Sequence, residues 1–414
     1  MFIAFRFFAG AGSWGFLSIT PVYVAELAPT ELRGFFVGIN GVMITLGYAL
    51  ASYMGLAFYD LTTSDTQWRG PLGIALVWPV LILFMLPFLP QSPRWLLMSE
   101  QPEEAWNIIS KLHTVPDDPN QTYARREFYQ MREQTKIDVT LDPSWYEMFR
   151  RPSYRRRCIL AVTFAFLSQS AGPLVITNYG PTIYQSLGFG TRDQLRLLFG
   201  PPANLIGSLV VDRWGRRPLM ALGVGGCCLC LVIEAAMVAT YGGTATNKAG
   251  LGVGVFALYF FIFIYSIGVD VGGYVFYTEI FPNHLRAKGL ALAVATNALT
   301  DLVYLQVSPT SFAHIGWKFF LVFIIISGLG FVWVIWKVPE TKGIPLEEMA
   351  AMFGDEDEVA VYARDIHTDS STKELVVTSE GRHGGGEANE KTRPQSKQQE
   401  HIEDVVVMPD SMVV

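Results

Sequence analysis

The stretch ELAPTELRG, residues 26–34, places Glu26, Pro29 and Arg33 at offsets 0, 3 and 7, and EIFPNHLRAKG, residues 279–289, places Glu279, Pro282 and Arg286 at the same offsets. A second pair keeps the shift. PQSPR starting at Pro90 and PETKG starting at Pro339 each close an apolar run, again about 250 residues apart. Two pairs at one period mark a chain built from duplicated halves.

What the halves are made of follows from composition. Half of the 414 residues are hydrophobic and 16% are charged, which is too apolar for a single water-soluble core and places the chain in the membrane class. The net charge of -6 belongs to the end of the chain, because residues 355–414 hold 14 acidic and 6 basic side chains. A membrane-crossing helix needs about 20 mostly apolar residues. Nine stretches qualify: 2–26, 35–59, 71–89, 158–180, 194–211, 218–240, 251–277, 289–308 and 317–337. The 194–211 stretch is the poorest, with Pro201 and Pro202 inside it. The fold class expected is therefore all-α, a polytopic helical bundle in contact with the lipid bilayer.

Lys and Arg collect in the 90–157 connection, from Arg94 and Lys111 to the Arg155-Arg156-Arg157 run. Positive charge of this kind marks the cytoplasmic side. Alternation then puts Arg33, the Arg213/Arg216/Arg217 cluster, Arg286 and the C-terminus on that side too. The connection keeps helix-like runs, one opened by Pro102 and one near 123–136. Residues 339–354 form a further cytoplasmic, amphipathic segment. Residues 355–414 are polar and low in complexity, too poor in apolar surface to offset their ordering entropy, and a disordered tail is expected there.

The repeat register carries a second expectation. Six spans fall between 158 and 338 but three between 1 and 89, and both sets end at the same landmark. By this register the first half's opening helix lies ahead of residue 1, so the chain is expected to lack three spans and not to transport by itself. A protein with nine spans is the other reading.

Taken together, Arg6 with Gly10 and Gly12, then Pro21, Tyr23, Glu26, Pro29, Arg33 and Gly34, PQSPRWL at 90–96, DRWGRRP at 212–218, Glu279 to Gly289, and PETKG at 339–343 make the chain resemble the sugar porter family of the major facilitator superfamily, in its fungal branch. The resemblance covers about residues 1–353. It implies two helical bundles around a central cavity, with residues 1–89 as part of the first bundle, its helices four to six, and 158–338 as the second. The implied activity is passage of a sugar or polyol by alternating access, with proton symport open.

Binding residues are implied position by position. Gln169 matches one of two family glutamines, Ser168 replaces the other, and Leu174 replaces an asparagine. Asn178 and Tyr179 follow on the same helix. Asn297 matches a family asparagine, Tyr274 stands where the family has a tryptophan, and Gly41 and Gly200 stand where it has a glutamine and an asparagine. Ordinary hexose recognition therefore lacks part of its usual set.

Read from the residues alone, Asp270 and Glu234 are ionisable groups inside spans, where insertion costs about 2.5 to 3.5 kcal/mol and function is the default expectation. Asp270, in YSIGVDVGGYVF, is a candidate for substrate hydroxyls or a proton, and Glu234 is a second candidate for a proton. The charged landmarks Glu26, Arg33, Asp212, Arg213, Arg216, Arg217, Glu279 and Arg286 sit at helix ends, where pairs that differ between two states would act as a gate; plain topological anchoring is the bland alternative. The GxGxxG string at Gly10 to Gly15 lies inside a span, where small residues serve helix packing rather than a nucleotide. No catalytic constellation, cofactor, metal or nucleic-acid partner is expected, and oligomeric state stays open. A non-transporting sugar sensor, signalling through the tail, is the alternative to a carrier.

Overall fold

A computed structural model of the chain describes residues 1–59, 64–114, 118, 120–178, 200–241, 248–368, 375–378 and 403–406. In chain order its helices are α1 (Phe2–Leu27), α2 (Arg33–Tyr59), α3 (Ser64–Ala75), α4 (Val77–Met85), α5 (Pro93–Met98), α6 (Pro102–Leu112), α7 (Thr122–Asp138) and α8 (Trp145–Arg150). There follow α9 (Pro152–Ser170), α10 (Gly200–Trp214), α11 (Arg216–Tyr241), α12 (Lys248–Tyr265), α13 (Val271–Glu279), α14 (Asn283–Ile315), α15 (Phe320–Lys337) and α16 (Met349–Met352). Contacts divide the chain into two units, one of Met1–Pro90 with Asp142–Met349 and one of Gln91–Leu141 with Ala350–Val414.

The first unit is the apolar bundle. Among the described residues seven helical stretches are long and apolar enough to cross a membrane, and they take in eight of the nine expected spans. The last two expected spans form one such stretch, Asn283–Lys337, broken at Gly316, whose φ of 54° is open to glycine at little cost. Of the expected span at 194–211, residues 200–211 lie in the helix α10, and residues 194–199 lie outside the described residues. The helix expected from 158 starts six residues earlier, at Pro152, because proline suits the first helical position and the Arg155–Arg157 run extends the helix beyond its apolar part. Arg157 is buried there, its guanidinium 5.3 Å from the Tyr154 ring centre.

Two helices of the bundle approach closely through a stripe of small residues. A Cβ on Gly34, Gly38 or Gly41 of α2 would stand 2.1 Å from Asp212 Oδ1, 2.7 Å from Ser208 Oγ or 2.8 Å from Asn204 Oδ1, all on α10. In a bilayer, where apolar side chains gain little by leaving lipid, such backbone proximity is what holds helices together.

The second unit is a small layer of α5, α6 and α7 around Leu96, Ala105, Ile109, Ala124, Phe128 and Met131. Pro102 opens α6, as expected, and the Asp118 carboxylate caps the start of α7 by accepting from the Tyr123 N–H at 3.0 Å. The expectation of a disordered tail from 355 does not hold for residues 355–366. Gln134 on α7 donates to the Glu358 carbonyl (2.7 Å) and accepts from the Ala360 N–H (3.0 Å), while Gln130 donates to the Val361 carbonyl (3.1 Å). Ile366 is buried against Tyr129. The physical reason is local: this stretch, DEVAVYARDI, still holds enough apolar residues and free backbone groups to dock. Strand β1 (Ile366–Thr368) pairs antiparallel with β2 (Leu375–Thr378), which pairs antiparallel with β3 (Glu403–Val406). Gln134→Ala removes two of the clamping hydrogen bonds, and about 1 to 3 kcal/mol of local stability should go with them. Hydrogen exchange of residues 358–363 is expected to accelerate about tenfold or more, with exchange of α11 unchanged.

Candidate functional site

The duplicated landmark turns out to be one half of a cross-wired pair. Glu279, the last residue of α13, has a carboxylate with 0% exposure. It accepts from Arg33 Nε at 3.2 Å, Arg216 Nε at 3.0 Å, Arg216 Nη2 at 2.8 Å and Thr341 Oγ1 at 2.6 Å. Arg33 belongs to the first repeat, and Arg216 and Thr341 to the second. The counterpart glutamate, Glu26, faces Arg286 of the other half at 4.0 Å. Each half thus sends its glutamate to the arginine of its partner half.

The surrounding groups fix this geometry. Arg216 Nη2 also reaches Asp212 Oδ1 at 3.0 Å, and Asp212 Oδ2 accepts from the Phe35 N–H on α2 at 2.7 Å. Arg33 Nη2 donates to the Ile344 carbonyl at 2.9 Å. Glu340 of the PETKG landmark accepts from the N–H groups of Arg216 (2.9 Å) and Arg217 (3.1 Å), capping the positive end of α11. Gly215, at φ 94°, makes the turn into that helix, and a Cβ there would meet Glu340 Oε2 at 2.6 Å.

Deeper in the same unit lies a cavity of about 320 Å³, at the small end of the roughly 300 to 1,000 Å³ usual for small-molecule sites. Both repeats wall it, α1 and α2 from the first, and α9, α12, α13 and α14 from the second. The helix that begins as α12 passes through a π turn at Ser266–Asp270 before continuing as α13. This turn lies at the glycines around Asp270, and its extra residue re-aims the side chain. The turn is pressed against α11: a Cβ on Gly268 would stand 2.5 Å from Gly223 Cα and 2.6 Å from the Leu219 carbonyl oxygen. Asp270 faces the cavity and is held by Asn204. With the Asn204 amide oriented to satisfy both its ends, its nitrogen donates to Asp270 Oδ2 (3.1 Å) and the Ser266 carbonyl (3.0 Å), and its oxygen accepts from Thr45 Oγ1 (3.3 Å).

This arrangement explains the glycine at 41. Its missing side chain leaves room for the Asn204–Asp270 pair, since a Cβ at 41 would lie 2.8 Å from the terminal amide of Asn204 and 3.3 Å from Asp270 Oδ2. Gly41→Ala is expected to lower the thermal midpoint of the purified protein, at a cost of about 1 kcal/mol from overpacking. In an Asn204→Ala background the same change should be nearly neutral, and an unchanged cost there would refute the account of Gly41.

Of the residues the sequence singles out, Gln169, Asp270, Tyr274 and Asn297 line the cavity together. Gln169 Oε1 is buried with no hydrogen-bond partner among the described residues. Asn297 Oδ1 accepts from Ser168 Oγ at 3.4 Å, so the residue replacing the family glutamine holds a neighbour in place. Asn178 is exposed, its amide donates to the Leu174 carbonyl at 2.9 Å, and it is not among the described residues that line the cavity. Tyr179 lies outside the described residues. Glu234 is buried on α11, with both carboxylate oxygens lacking a hydrogen-bond partner among the described residues, and it does not line the cavity. Arg213 is exposed and contributes its backbone carbonyl, which accepts from Lys342 Nζ at 2.7 Å; the Arg217 guanidinium turns to the Ile335 carbonyl.

Sequence reasoning missed Asp301, Asn204, Glu340 and Thr341. Asp301 was within reach: it is ionisable, lies inside a span, and follows Asn297 by one helical turn, so the two share a face. Asn204 sits on the weakest expected span and gave no such signal.

The fold and its two polar features define the class, a polytopic helical membrane protein with a ligand-sized cavity and a buried charge cluster joining its repeats. Residues 1–353 match the family of sugar (and other) transporters, and the chain belongs to that family. It is 28% identical over 368 residues to the low-affinity glucose transporter HXT3 of Saccharomyces cerevisiae, a match that takes in 84% of this chain and 63% of that protein. It is 30% identical over 372 residues to putative polyol transporter 1 of Arabidopsis thaliana, with 84% of this chain and 72% of that protein covered. Among solved structures, that of XylE, a proton:xylose symporter of the major facilitator superfamily bound to 6-bromo-6-deoxy-D-glucose, matches with a TM-score of 0.70. The match takes in 81% of this chain and 70% of XylE at 23% identity, and it is a likeness of fold. The chain thus spans just under two thirds of the length of the yeast glucose transporter.

Proposed function

We propose that the chain forms the binding and gating part of a membrane carrier for a sugar or a polyol that works by alternating access, with the Glu279 cluster holding its cytoplasmic end shut. One observation carries the reading. A single buried carboxylate is gripped by Arg33 from one repeat and Arg216 from the other, beneath a cavity walled by both. Contacts between repeats at one end of a bundle must break if the bundle is to open there, and a cluster of charge-assisted hydrogen bonds breaks as a unit. Glu26 and Arg286 form the pseudo-symmetric half of the gate, and Asp212 couples α2 to Arg216. Arg213 and Arg217 contribute to anchoring the end rather than to the clamp.

The relatives extend the reading to substrates. A glucose transporter and a polyol transporter are among them, and the polar groups of this cavity suit a polyhydroxylated molecule: amides at Gln169 and Asn297, a carboxylate at Asp270 and an aromatic ring at Tyr274. Proton coupling, as named for XylE, would rest here on Asp270, with Glu234 as a second carrier away from the cavity lining. The basic 90–157 connection supports a cytoplasmic C-terminus, and the cell surface is the proposed location.

Equilibrium binding tests the substrate side. The purified protein in lipid nanodiscs is expected to bind at least one member of a panel of tritiated monosaccharides and polyols saturably, and Tyr274→Ala to weaken that binding about tenfold. No saturable binding across the panel would overturn the reading.

A further inference from the structure

The cavity holds two carboxylates and, among the described residues that line it, no basic side chain. The two acids are not equivalent. Asp270 has the Asn204 amide as a donor. Asp301, on α14, has 6% of its surface exposed and lines the same cavity, with no donor amide placed against it as Asn204 is against Asp270. Gln169 Oε1, a third acceptor in the lining, is buried with no hydrogen-bond partner among the described residues. An intramembrane carboxylate that no protein donor satisfies is an acceptor waiting for a donor. The lining thus has a surplus of acceptors and of negative charge.

We propose that the substrate of this cavity is an amine-bearing polyol, a sugar or sugar alcohol with a protonated amino group, whose ammonium is received by Asp301. The proposal rests on the carrier reading given above and specifies its substrate class. Asp301 supplies the charge-assisted partner for the ammonium. Tyr48, Tyr265 and Tyr274 line the same space, and aromatic rings attract a cation. Asp270 and Gln169 are left as acceptors for the hydroxyls, so a neutral polyol satisfies these two but gives the Asp301 carboxylate no cation to pair with. Proteins discriminate most strongly when the wrong ligand strands a polar group of the site. The prediction is therefore a preference for the amine over the hydroxyl compound of the same skeleton.

The test pairs glucose with glucosamine, and sorbitol with its amino counterpart glucamine, in equilibrium binding to the purified chain in nanodiscs at neutral pH. The amino member of at least one pair should bind about tenfold tighter or more, and Asp301→Asn should bring the two affinities of that pair together. The unsubstituted protein alone decides the matter if the variant does not fold, because the ratio within each pair is read without it. Equal or tighter binding of the neutral member in both pairs overturns the amine proposal and leaves the carrier reading standing. A preference that survives Asp301→Asn overturns the assignment to Asp301. Absence of binding by all four compounds overturns the proposal, and the wider tritiated panel then decides the carrier reading separately.

Discussion

Glu279→Ala should open the cytoplasmic end of the bundle and lower the thermal midpoint of the purified protein. Removing one member of a buried ion cluster typically costs about 3 to 5 kcal/mol, because the partners stay buried without their counter-charge. Here two guanidinium groups lose three hydrogen bonds and Thr341 loses one, although Arg216 keeps Asp212 at 3.0 Å, which favours the lower part of that range. The easiest relief is separation of the repeats, which lets water reach both arginines. At 1.4 kcal/mol per factor of ten, about 3 kcal/mol shifts the population of an opened state about a hundredfold. A membrane-impermeant maleimide applied from the cytoplasmic side should then label a cysteine placed in the cavity correspondingly faster. The triple variant Arg33→Met, Arg216→Met, Glu279→Leu should recover much of the lost midpoint, since apolar packing can replace a buried ion cluster. An unchanged labelling rate in Glu279→Ala would sink the gating role and leave the cluster as a topological anchor.

Gly268→Ala is expected to be the most disruptive small substitution in the molecule. Its methyl group would lie 2.5 Å from Gly223 Cα and 2.6 Å from the Leu219 carbonyl oxygen. Both are backbone atoms of α11, so no side chain can swing away, and the π turn and α11 must separate. Overpacking of this kind costs about 1 to 3 kcal/mol, and rigid backbone on the opposing side points to the upper end. Because the turn ends at Asp270, the shift also moves the carboxylate away from Asn204. Loss of thermal stability together with weaker ligand binding is the expected pair of results. Gly252→Ala, where a Cβ would meet nothing within 4 Å, should change neither. A stable Gly268→Ala protein with unaltered binding would contradict the close approach described here.

Much of this architecture is legible in the sequence, for reasons that differ from element to element. The long apolar runs announce the spans because lipid demands about 20 apolar residues with every backbone group satisfied internally. The repeat announces Glu26, Arg33, Glu279 and Arg286 as a set, but spacing along the chain does not reveal that the pairs cross between halves. That emerges only when α2 and α13 are side by side. Glu340 is similar: PETKG is recognisable as a landmark, while its work as a cap for α11 depends on a contact 124 residues away. At the cavity, Asp270 carried its own signal as a charge among apolar neighbours. Asn178 carried a misleading one, since position on the right helix does not fix the face a side chain takes. The tail misled through its composition: residues 379–402 dominate the average, and the apolar residues between 355 and 366 that dock on α7 are diluted by it.

In the proposed carrier the cavity is closed to the cytoplasm while the Glu279 cluster is made, and side-specific labelling measures that directly. Ile44 lines the cavity on α2, and the free cysteines Cys158, Cys227, Cys228 and Cys230 can be replaced to leave Ile44→Cys as the sole thiol in oriented vesicles. With Glu279 intact, an impermeant maleimide added from the outer face should label it, and the same reagent added from the cytoplasmic face should not. Equal labelling from the two faces would contradict the account.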